Sequence, residues 1–431
     1  MAAAPTRRRS GRAAEMIALI VAGEAIFALP FHVARFFRPT LLEVYGLSPG
    51  ELGALQGIYG VTALLAYFPS GLLADRWPAR ALVCAGLGST ALGGLVLLGR
   101  PGFVGLALLF GAWGITTVLP LWGALIRTTR RWGGPRSQGR AYGLLEGGRG
   151  LFAAAFASLG AGLLAALFPD DPRAVSATER ALALREVITV YIAVTAGAAA
   201  LAWALLRGDP PAASSGAPPS IAAPLRLPAL WIQALIILAA YVGYKGFDDV
   251  ALFAVDAWGY DEVEAAALAS RAAWLRPIVC VAAGLLGDRV RPIAVLPWAF
   301  GLVAAGELAL WAAPAGPGLA LFFAVDVLAI TAAIFALRAL YFALFADAGV
   351  PMRSTGAAIG AVSVIGYLPD VFVNPLAGAL VDAAPGAAGH QRFAAFLAAS
   401  ALVGAAASAL FRRMADRRAD SRPVEEASDE P

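Results

Sequence analysis

Lysine is almost absent from the sequence: of 33 basic residues, only Lys245 is not an arginine. It lies inside a long apolar stretch, residues 230–255. A basic residue at the centre of a membrane helix costs about 2.5–3.5 kcal/mol on insertion scales, so it usually faces a cavity or a partner. The lysine therefore indicates a functional site, and the simpler alternative is that it only pairs with Asp248 or Asp249 on the same helical face.

Charged residues of any kind are also scarce. They make up 14% of the 431 residues, whereas hydrophobic residues make up 60%. An ordinary soluble domain has about 25% charged and about 45–50% apolar residues, so this composition excludes that class. Apolar segments long enough to cross a bilayer recur through the whole chain, and none alternates with the period of two that a membrane β-barrel shows. We therefore predict an all-α, multi-pass membrane protein.

The sequence has only two cysteines, Cys84 and Cys280, and both lie in apolar segments. This placement favours buried packing residues over a disulfide, a metal site or a redox pair. No H-E-x-x-H, P-loop or G-x-S-x-G pattern occurs in a suitable context. We therefore expect no enzyme activity, no cofactor and no metal.

The apolar segments predict twelve membrane helices, and their number suggests two sets of six. They cover residues 15–38, 52–73, 80–99, 103–126, 141–168, 184–206, 228–255, 263–286, 293–313, 318–345, 355–381 and 391–411. The arm Met1–Ala14 lacks the order of a secretory signal, so the first helix is expected to remain in the mature protein. The proline- and serine-rich composition of the segment after the sixth helix is typical of a solvated linker. The predicted organisation is an N-terminal six-helix bundle with a short basic arm (1–206), a cytoplasmic linker (207–227), a C-terminal six-helix bundle (228–413) and a charged cytoplasmic tail (414–431).

The arginines outside these helices predict the orientation. With the N- and C-termini cytoplasmic, 21 of them lie on the cytoplasmic side and five on the other side. Such an excess is what the positive-inside rule requires. The basic residues therefore indicate topology, and we expect the lipid bilayer of the cytoplasmic (inner) membrane as a partner and no nucleic acid.

One short motif occurs twice in the sequence. Residues 71–76 and 284–289 both read G-x-x-x-D-R, at the same end of the second helix of each predicted bundle. Glycine allows close helix approach, and the aspartate can cap a helix or pair with an arginine, so Asp75, Arg76, Asp288 and Arg289 are candidate gating residues. Two copies in register make the chain resemble the major facilitator superfamily of secondary transporters. That resemblance implies a central site near the membrane midplane and alternating access by rocking of the two bundles.

A narrower resemblance lies in residues 41–48 (LLEVYGLS), followed by Leu52-Gly53, and in residues 142–150 and 274–277. These segments look like the organophosphate:phosphate antiporter and sugar-phosphate-permease-like branch. The resemblance implies one basic residue in the first helix of each bundle, the two clamping the substrate anion. Counting back 43 residues from Asp288 and from Asp75 gives Lys245 and His32, where that branch carries arginines.

Charged and polar residues inside the predicted helices supply the candidate site. Arg35 lies one helical turn beyond His32 and provides a permanent charge there, whereas Arg38 is expected to extend to the membrane interface. The alternative for His32 is a packing histidine with a satisfied partner. The substrate-binding candidates are Arg35, Lys245, His32, Arg271, Arg276, Tyr59, Asp370 and Asn374. Further candidates for coupling or gating are Glu24, Glu146, Arg149, Asp248 and Asp249.

Two cations facing one cavity suit an anion such as a phosphate, a sulfonate or a carboxylate. We therefore predict a secondary active transporter that moves a small organic anion, acts as a monomer and is coupled to protons or to a counter-transported anion. The alternative is proton-coupled efflux of amphiphilic compounds, which abundant aromatic residues favour and a cationic cavity disfavours.

Overall fold

The structure, a computed structural model, describes residues 4–133, 138–168, 175–208, 226–287, 290–345, 347–348, 350 and 362–420. Helices account for nearly all of these residues, and no strand occurs among them. The helices are α1 (Ala4–Ala25), α2 (Val33–Phe36), α3 (Arg38–Tyr45), α4 (Pro49–Arg76), α5 (Ala79–Leu98), α6 (Phe103–Val118), α7 (Leu121–Gly133), α8 (Gln138–Leu167), α9 (Ala177–Leu205), α10 (Pro228–Gly246), α11 (Val250–Trp258), α12 (Glu262–Ala273), α13 (Leu275–Gly287), α14 (Pro292–Ala312), α15 (Ala320–Leu340), α16 (Pro369–Ala383) and α17 (Ala387–Asp420).

By length and composition, eleven helical segments within the described ranges could cross a membrane. They correspond to eleven of the predicted segments. The remaining prediction, residues 52–73, falls in the 28-residue helix α4, some of whose side chains lie outside the described part of the structure. The prediction of an all-α, multi-pass membrane protein is thus confirmed, whereas the count of twelve, the bundle boundaries and the orientation stay predictions.

The two parts of the chain that flank the predicted linker are called here the N-half (residues 4–208) and the C-half (residues 226–420). Successive long helices run in opposite directions, so their termini lie at two opposite ends of the molecule. The end that carries Arg12 and Arg418 is called the terminal end, and the opposite end is called the Arg180 end. At the terminal end, ion pairs such as Arg131–Glu15 join helices of the same half.

The first long helix of each half is broken near its middle. After α1, residues Ala28–His32 form a π-helical turn in which the N–H groups of Phe31 and His32 both donate to the Phe27 carbonyl. Pro30 lies inside this turn and has no N–H to donate, which accounts for the local change of hydrogen-bond pattern. In the C-half, α10 ends at Gly246 and a 3₁₀ turn, Phe247–Asp249, precedes α11. Side chains at and next to both breaks face the boundary between the halves.

Each half has its own hydrophobic core. One large cluster of buried side chains contains only residues of the C-half, including the fully buried Trp258. A second cluster lies mainly in the N-half around Trp113 but also takes in Phe247 and Leu252 of the C-half. The turn Phe247–Asp249 of the C-half packs against this second cluster through Phe247, and this packing fixes the residues around the break between α10 and α11.

Helices α4 and α16 form the main contact between the halves. A row of glycines on α4 allows it, because a methyl group at Gly53 or Gly60 would overlap the backbone of α16 at Asn374 or Asp370. At the Arg180 end, Asp382 accepts hydrogen bonds from the Ser48 hydroxyl (2.8 Å) and the Gly50 N–H (2.9 Å). The close backbone approach and these bonds hold the Arg180 end shut.

We predict that Gly53→Leu opens the Arg180 end. The added side chain has no room against α16, and such overpacking costs about 1–3 kcal/mol. The measurement is the yield of a disulfide between cysteines placed at Ser48 and Asp382 in a variant without Cys84 and Cys280. Gly197→Leu is the control, since a side chain there meets open space on another long helix. Equal disulfide yields in the two leucine variants would contradict the prediction.

Candidate functional site

A first group of polar side chains surrounds the carboxylate of Asp248 at the break between α10 and α11. Arg35 of the N-half donates from Nε to Oδ1 (2.5 Å), and Lys245 lies with Nζ 2.7 Å from Oδ2. Asn374 of α16 donates to the same Oδ2 (3.1 Å). Asp248 is 1% exposed, so the two cations share one fully buried carboxylate. These residues, with Asp370, are called the Asp248 cluster.

Asp370 lies in the first turn of α16, where the helix dipole favours a negative charge. Its Oδ1 is 3.5 Å from Lys245 Nζ, and the Tyr241 hydroxyl donates to both carboxylate oxygens at 3.1 and 3.2 Å. Lys245 therefore lies between two acids, and its ammonium also sits 4.5 Å from the centre of the Phe31 ring. The pairing of Lys245 with Asp248, which the sequence left open as an alternative, is present in the structure.

A second group lies closer to the terminal end and contains two acids, Glu24 and Glu146. Arg149 is 3.1 Å from Glu24 and 2.5 Å from Glu146. Arg276 of the C-half reaches the same two acids at 3.5 and 3.0 Å. His32 contributes a contact of 3.4 Å from Nε2 to Glu24. This Glu24 cluster, like the Asp248 cluster, joins the two halves through buried charges.

Arg38 was expected to extend to the membrane interface, and the structure shows that this expectation is wrong. Its side chain is fully buried; Nη1 donates to the Asp248 carbonyl (3.4 Å), and Nε lies 3.8 Å from Asp249 Oδ1. The reason is the turn at Phe37 and Pro39, which directs α3 back along the boundary between the halves instead of into the headgroups. Arg38 therefore contacts the C-half.

Four tyrosines lie beside the two clusters and are called here the tyrosine wall: Tyr67, Tyr241, Tyr244 and Tyr367. Tyr241 and Tyr244 lie on α10, one helical turn apart, and the Arg35 Nη1 donates to the Tyr244 hydroxyl (3.0 Å). Tyr67 of the N-half stacks on Tyr367 of the C-half with ring centres 6.0 Å apart. Tyrosines combine an apolar face with a polar tip, so this wall suits a ligand with both characters.

Arg338 of α15 is packed against this wall. Its guanidinium lies 4.0 Å from the centre of the Tyr244 ring and 5.4 Å from that of Tyr241. The buried Nη1 has no hydrogen-bond partner, and Arg338 makes no ion pair with the acids in the described part of the chain. A pairing with Asp326 or Asp370 would have been compatible with the sequence, but Asp370 is taken by Lys245 and Tyr241.

The remaining predicted site residues lie elsewhere. Tyr59 is buried in the N-half, where its hydroxyl is 2.6 Å from that of Thr117. Arg271 and Arg76 are exposed, so of the two arginines predicted in the eighth helix only Arg276 enters a cluster. The Asp75 side chain, Asp288 and Arg289 lie outside the described part of the structure.

The sequence offered two candidates in the N-half to face Lys245: His32, from the pseudo-symmetric count, and Arg35, one helical turn beyond it. The pseudo-symmetric count placed His32 opposite Lys245, but the structure puts them in different clusters. Arg35 is the residue of the N-half that meets Lys245, and the two hold a carboxylate of the protein itself. Arg35 and Lys245 thus bracket one carboxylate from the two halves, and the anion clamp inferred from the family resemblance stays a prediction.

Sequence reasoning missed two charged contributors. His390 is absent from the candidates; it lies immediately before the twelfth predicted helix, residues 391–411. Arg338 of the tenth predicted helix is absent from the candidate residues. The available signal for Arg338 was its position deep in an apolar helix without an acid three or four residues away.

We predict that Asp248→Asn strongly destabilises the protein. The change leaves Arg35 and Lys245 side by side without their shared carboxylate, and breaking a buried pair from one side costs about 3–5 kcal/mol. The double variant Lys245→Met/Asp248→Asn should recover part of this loss, because one cation leaves with the acid. Thermal unfolding in detergent measures both effects. Arg412→Gln is the control for an exposed pair, that with Asp416, whose loss costs about 0–1 kcal/mol. An unchanged melting temperature for Asp248→Asn would refute the prediction.

Comparisons with known proteins agree with this architecture. The chain matches the family model described as Major Facilitator Superfamily over residues 20–374. It is 26% identical over 408 residues to the inner membrane protein YqcE of Escherichia coli (strain K12), covering 91% of this chain and 93% of that protein. It is 24% identical over 420 residues to the inner membrane protein YihN of the same organism, covering 93% and 95%.

Solved structures show the same fold. The chain superposes on a bacterial homolog of the human lysosomal transporter Spinster, in an inward-facing and unoccupied conformation, with a TM-score of 0.74 and 17% identity, covering 94% of this chain and 98% of that one. For a mutant of the nucleoside transporter NupG the TM-score is 0.68 and the identity 12%, covering 93% and 98%. At these identities the likeness concerns the fold alone, and the organophosphate antiporter branch stays a prediction. From the family match over most of its length, the chain belongs to the major facilitator superfamily of secondary transporters.

Proposed function

We propose that this transporter moves a small organic anion bearing a phosphate, sulfonate or carboxylate group, and that Arg338 is its principal anchor. The observation that carries the proposal is a surplus of one permanently charged base, counting arginine and lysine only. In the two clusters, the acids Asp248, Asp370, Glu24 and Glu146 are matched by Arg35, Lys245, Arg149 and Arg276. Arg338 is a fifth base beside them, and no acid is paired with it among the described residues.

The surroundings of Arg338 favour an anionic ligand. A guanidinium offers a planar set of donors that fits carboxylate and phosphate oxygens bidentately. Stacking on Tyr244 keeps the guanidinium in place while leaving donors free, of which the buried Nη1 is one. Arg338 is partly buried and has no ion-pair partner among the described residues, so binding an anion beside it is favourable.

The Asp248 cluster supplies a second contact for the same ligand. Arg35 and Lys245 already hold a carboxylate at 2.5 and 2.7 Å, and both belong to the boundary between the halves. A substrate anion that binds there competes with the Asp248 carboxylate for Arg35 and Lys245. The tyrosine wall then contacts the uncharged part of the substrate.

The tyrosine wall also favours the alternative function, efflux of amphiphilic compounds. Tyr67, Tyr367, Tyr241 and Tyr244 lie together there, and aromatic rings favour contact with a flat apolar molecule. A lipophilic cation would however meet Arg338 in the same place. Efflux of an amphiphile is therefore retained as an outcome of the test below.

The test begins with the thermal stability of the purified protein in the presence of four probes: glycerol 3-phosphate, ethanesulfonate, pyruvate and tetraphenylphosphonium. At least one anion is expected to raise the melting temperature, because ligands that bind only the folded state stabilise it. Arg338→Gln should weaken that anion's binding about tenfold to a hundredfold, since a hydrogen bond to a charged group contributes about 1.5–3 kcal/mol. Arg338→Lys should retain part of the binding, as it keeps the charge and loses the planar fork.

Arg185→Gln is the matched control, because Arg185 is an exposed arginine of α9. Its binding of the anion should equal that of the wild type. Uptake of the stabilising anion into proteoliposomes completes the test. Stabilisation by tetraphenylphosphonium alone, or unchanged anion binding in Arg338→Gln, would reject the proposal.

We also propose the finer topology: twelve membrane helices, six in residues 1–206 and six in 228–413, with both termini in the cytoplasm. The excess of arginine at the terminal end supports this orientation. Cysteines introduced singly at Gly318 and at Arg413, in a variant without Cys84 and Cys280, give the measurement. Both positions are exposed and lie at opposite ends. A membrane-impermeant maleimide should label Gly318→Cys in intact cells and Arg413→Cys only after permeabilisation, and the reverse pattern would invert the topology.

A further inference from the structure

The C-half contains a cavity of its own, apart from the boundary between the halves. Its volume is about 40 Å³, enough for water, and apolar side chains form most of its lining. Three titratable side chains, Asp249, Glu307 and His390, also line it. None of these three belongs to the Asp248 or the Glu24 cluster, and the proposed anion site does not use them.

His390 lies between two carboxylates. Its Nδ1 is 2.6 Å from Asp249 Oδ2, and its Nε2 is 3.0 Å from Asp256 Oδ2. The imidazole stacks on Phe253 with ring centres 4.7 Å apart, and the residue is 1% exposed. Asp256 is exposed at the Arg180 end, whereas Asp249 is buried. The three side chains thus connect the surface with the interior.

The number of protons in this group follows from its hydrogen bonds. A neutral imidazole has one N–H, so it can donate to only one of two carboxylates. The other nitrogen would then face a carboxylate oxygen with two lone pairs opposed. One further proton, either on the imidazole or on a carboxyl, allows both contacts to be hydrogen bonds. The three side chains therefore form a site that can bind one proton.

The other charges around His390 come from the neighbouring helices. Glu307 of α14 lines the same cavity and has no described cationic partner, and Asp326 of α15 lies near Gly306 of α14. The only base within 4 Å of Asp249 in the described chain, besides His390, is Arg38 of the N-half, at 3.8 Å. Acids thus outnumber bases around the imidazole, which favours uptake of a proton.

Arg38 connects this group to the movement of the halves. It is fully buried, its Nε faces Asp249 Oδ1 at 3.8 Å, and its Nη1 donates to the Asp248 carbonyl. Both Arg38 Nε and Asp249 Oδ1 lack a hydrogen bond within the described residues, so their attraction rests mainly on charge. Arg38 with Asp249 and the Asp248 carbonyl is called the Arg38 contact.

We propose that Asp249, His390 and Asp256 form the proton-binding site that couples transport to a proton, by setting the strength of the Arg38 contact between the halves. A proton from the water at the Arg180 end passes by way of Asp256 to Nε2 of His390. The imidazole then releases the proton on its Nδ1 to Asp249. Only bonds to hydrogen form or break in this step. The group gains one proton, which comes from the water.

Proton uptake weakens the Arg38 contact wherever the proton resides. On Asp249 it removes the negative charge that faces Arg38. On His390 it creates a second cation that competes with Arg38 for the same carboxylate. In both cases the net attraction between the halves falls, and the Arg180 end opens more readily. Loss of the proton restores the contact and closes that end.

The test uses no substrate, so its result is independent of the proposed anion. Cysteines at Thr178 of the N-half and Gly318 of the C-half, both exposed at the Arg180 end, carry spin labels in a variant without Cys84 and Cys280. The distance between the labels is measured from about pH 5 to pH 8, the range in which histidine usually changes its charge. The longer distance should become more populated as the pH falls.

Three variants decide the outcome. His390→Gln should lose the pH response, and Asp249→Asn should populate the longer distance at every pH. Glu186→Gln, which alters an exposed carboxyl of α9, is the control and should keep the response. Asp256→Asn alters only a partly exposed carboxyl and should reduce the response even if His390→Gln fails to fold. A wild type without a pH response, or an unaltered response in Asp256→Asn or His390→Gln, would overturn the proposal.

Discussion

The arrangement of this molecule depends on the neutralisation of charges that its helices carry into an apolar environment. A carboxylate in hydrocarbon must have a partner, and here the partners of Asp248 and of Glu24 come from both halves of the chain. The same requirement that makes the helices stable therefore holds the halves together. Any relative movement of the halves has to exchange these partners in a coordinated way.

The breaks in the first helix of each half decide which charges meet. A continuous helix through Pro30 would turn Arg35 and Arg38 to a different face, and a continuous helix through Phe247 would do the same to Asp248. The π turn and the 3₁₀ turn each shift the register by a fraction of a turn. As a result Arg35 of the N-half meets Asp248, which is also paired with Lys245 of its own half.

The composition and the hydropathy pattern were sufficient to predict the class of fold, and the duplicated G-x-x-x-D-R motif pointed to the family. They also identified most of the buried charged residues, because a charged residue within an apolar segment can be recognised from the sequence alone. The pairing was not visible, since it depends on the local turns at Pro30 and Phe247 and on contacts between residues about 200 positions apart. His390 was missed for a related reason: its importance comes from Asp249 and Asp256, which lie 141 and 134 residues away.

Ser48 has two roles at the Arg180 end that separate when the halves move. Its hydroxyl oxygen accepts the Glu51 N–H and so caps α4, while the same hydroxyl donates its hydrogen to Asp382 across the boundary. The cap is local to the N-half and persists after Asp382 has left, with water taking its place on an exposed side chain. The N-terminus of α4 therefore stays capped when the contact with Asp382 is broken.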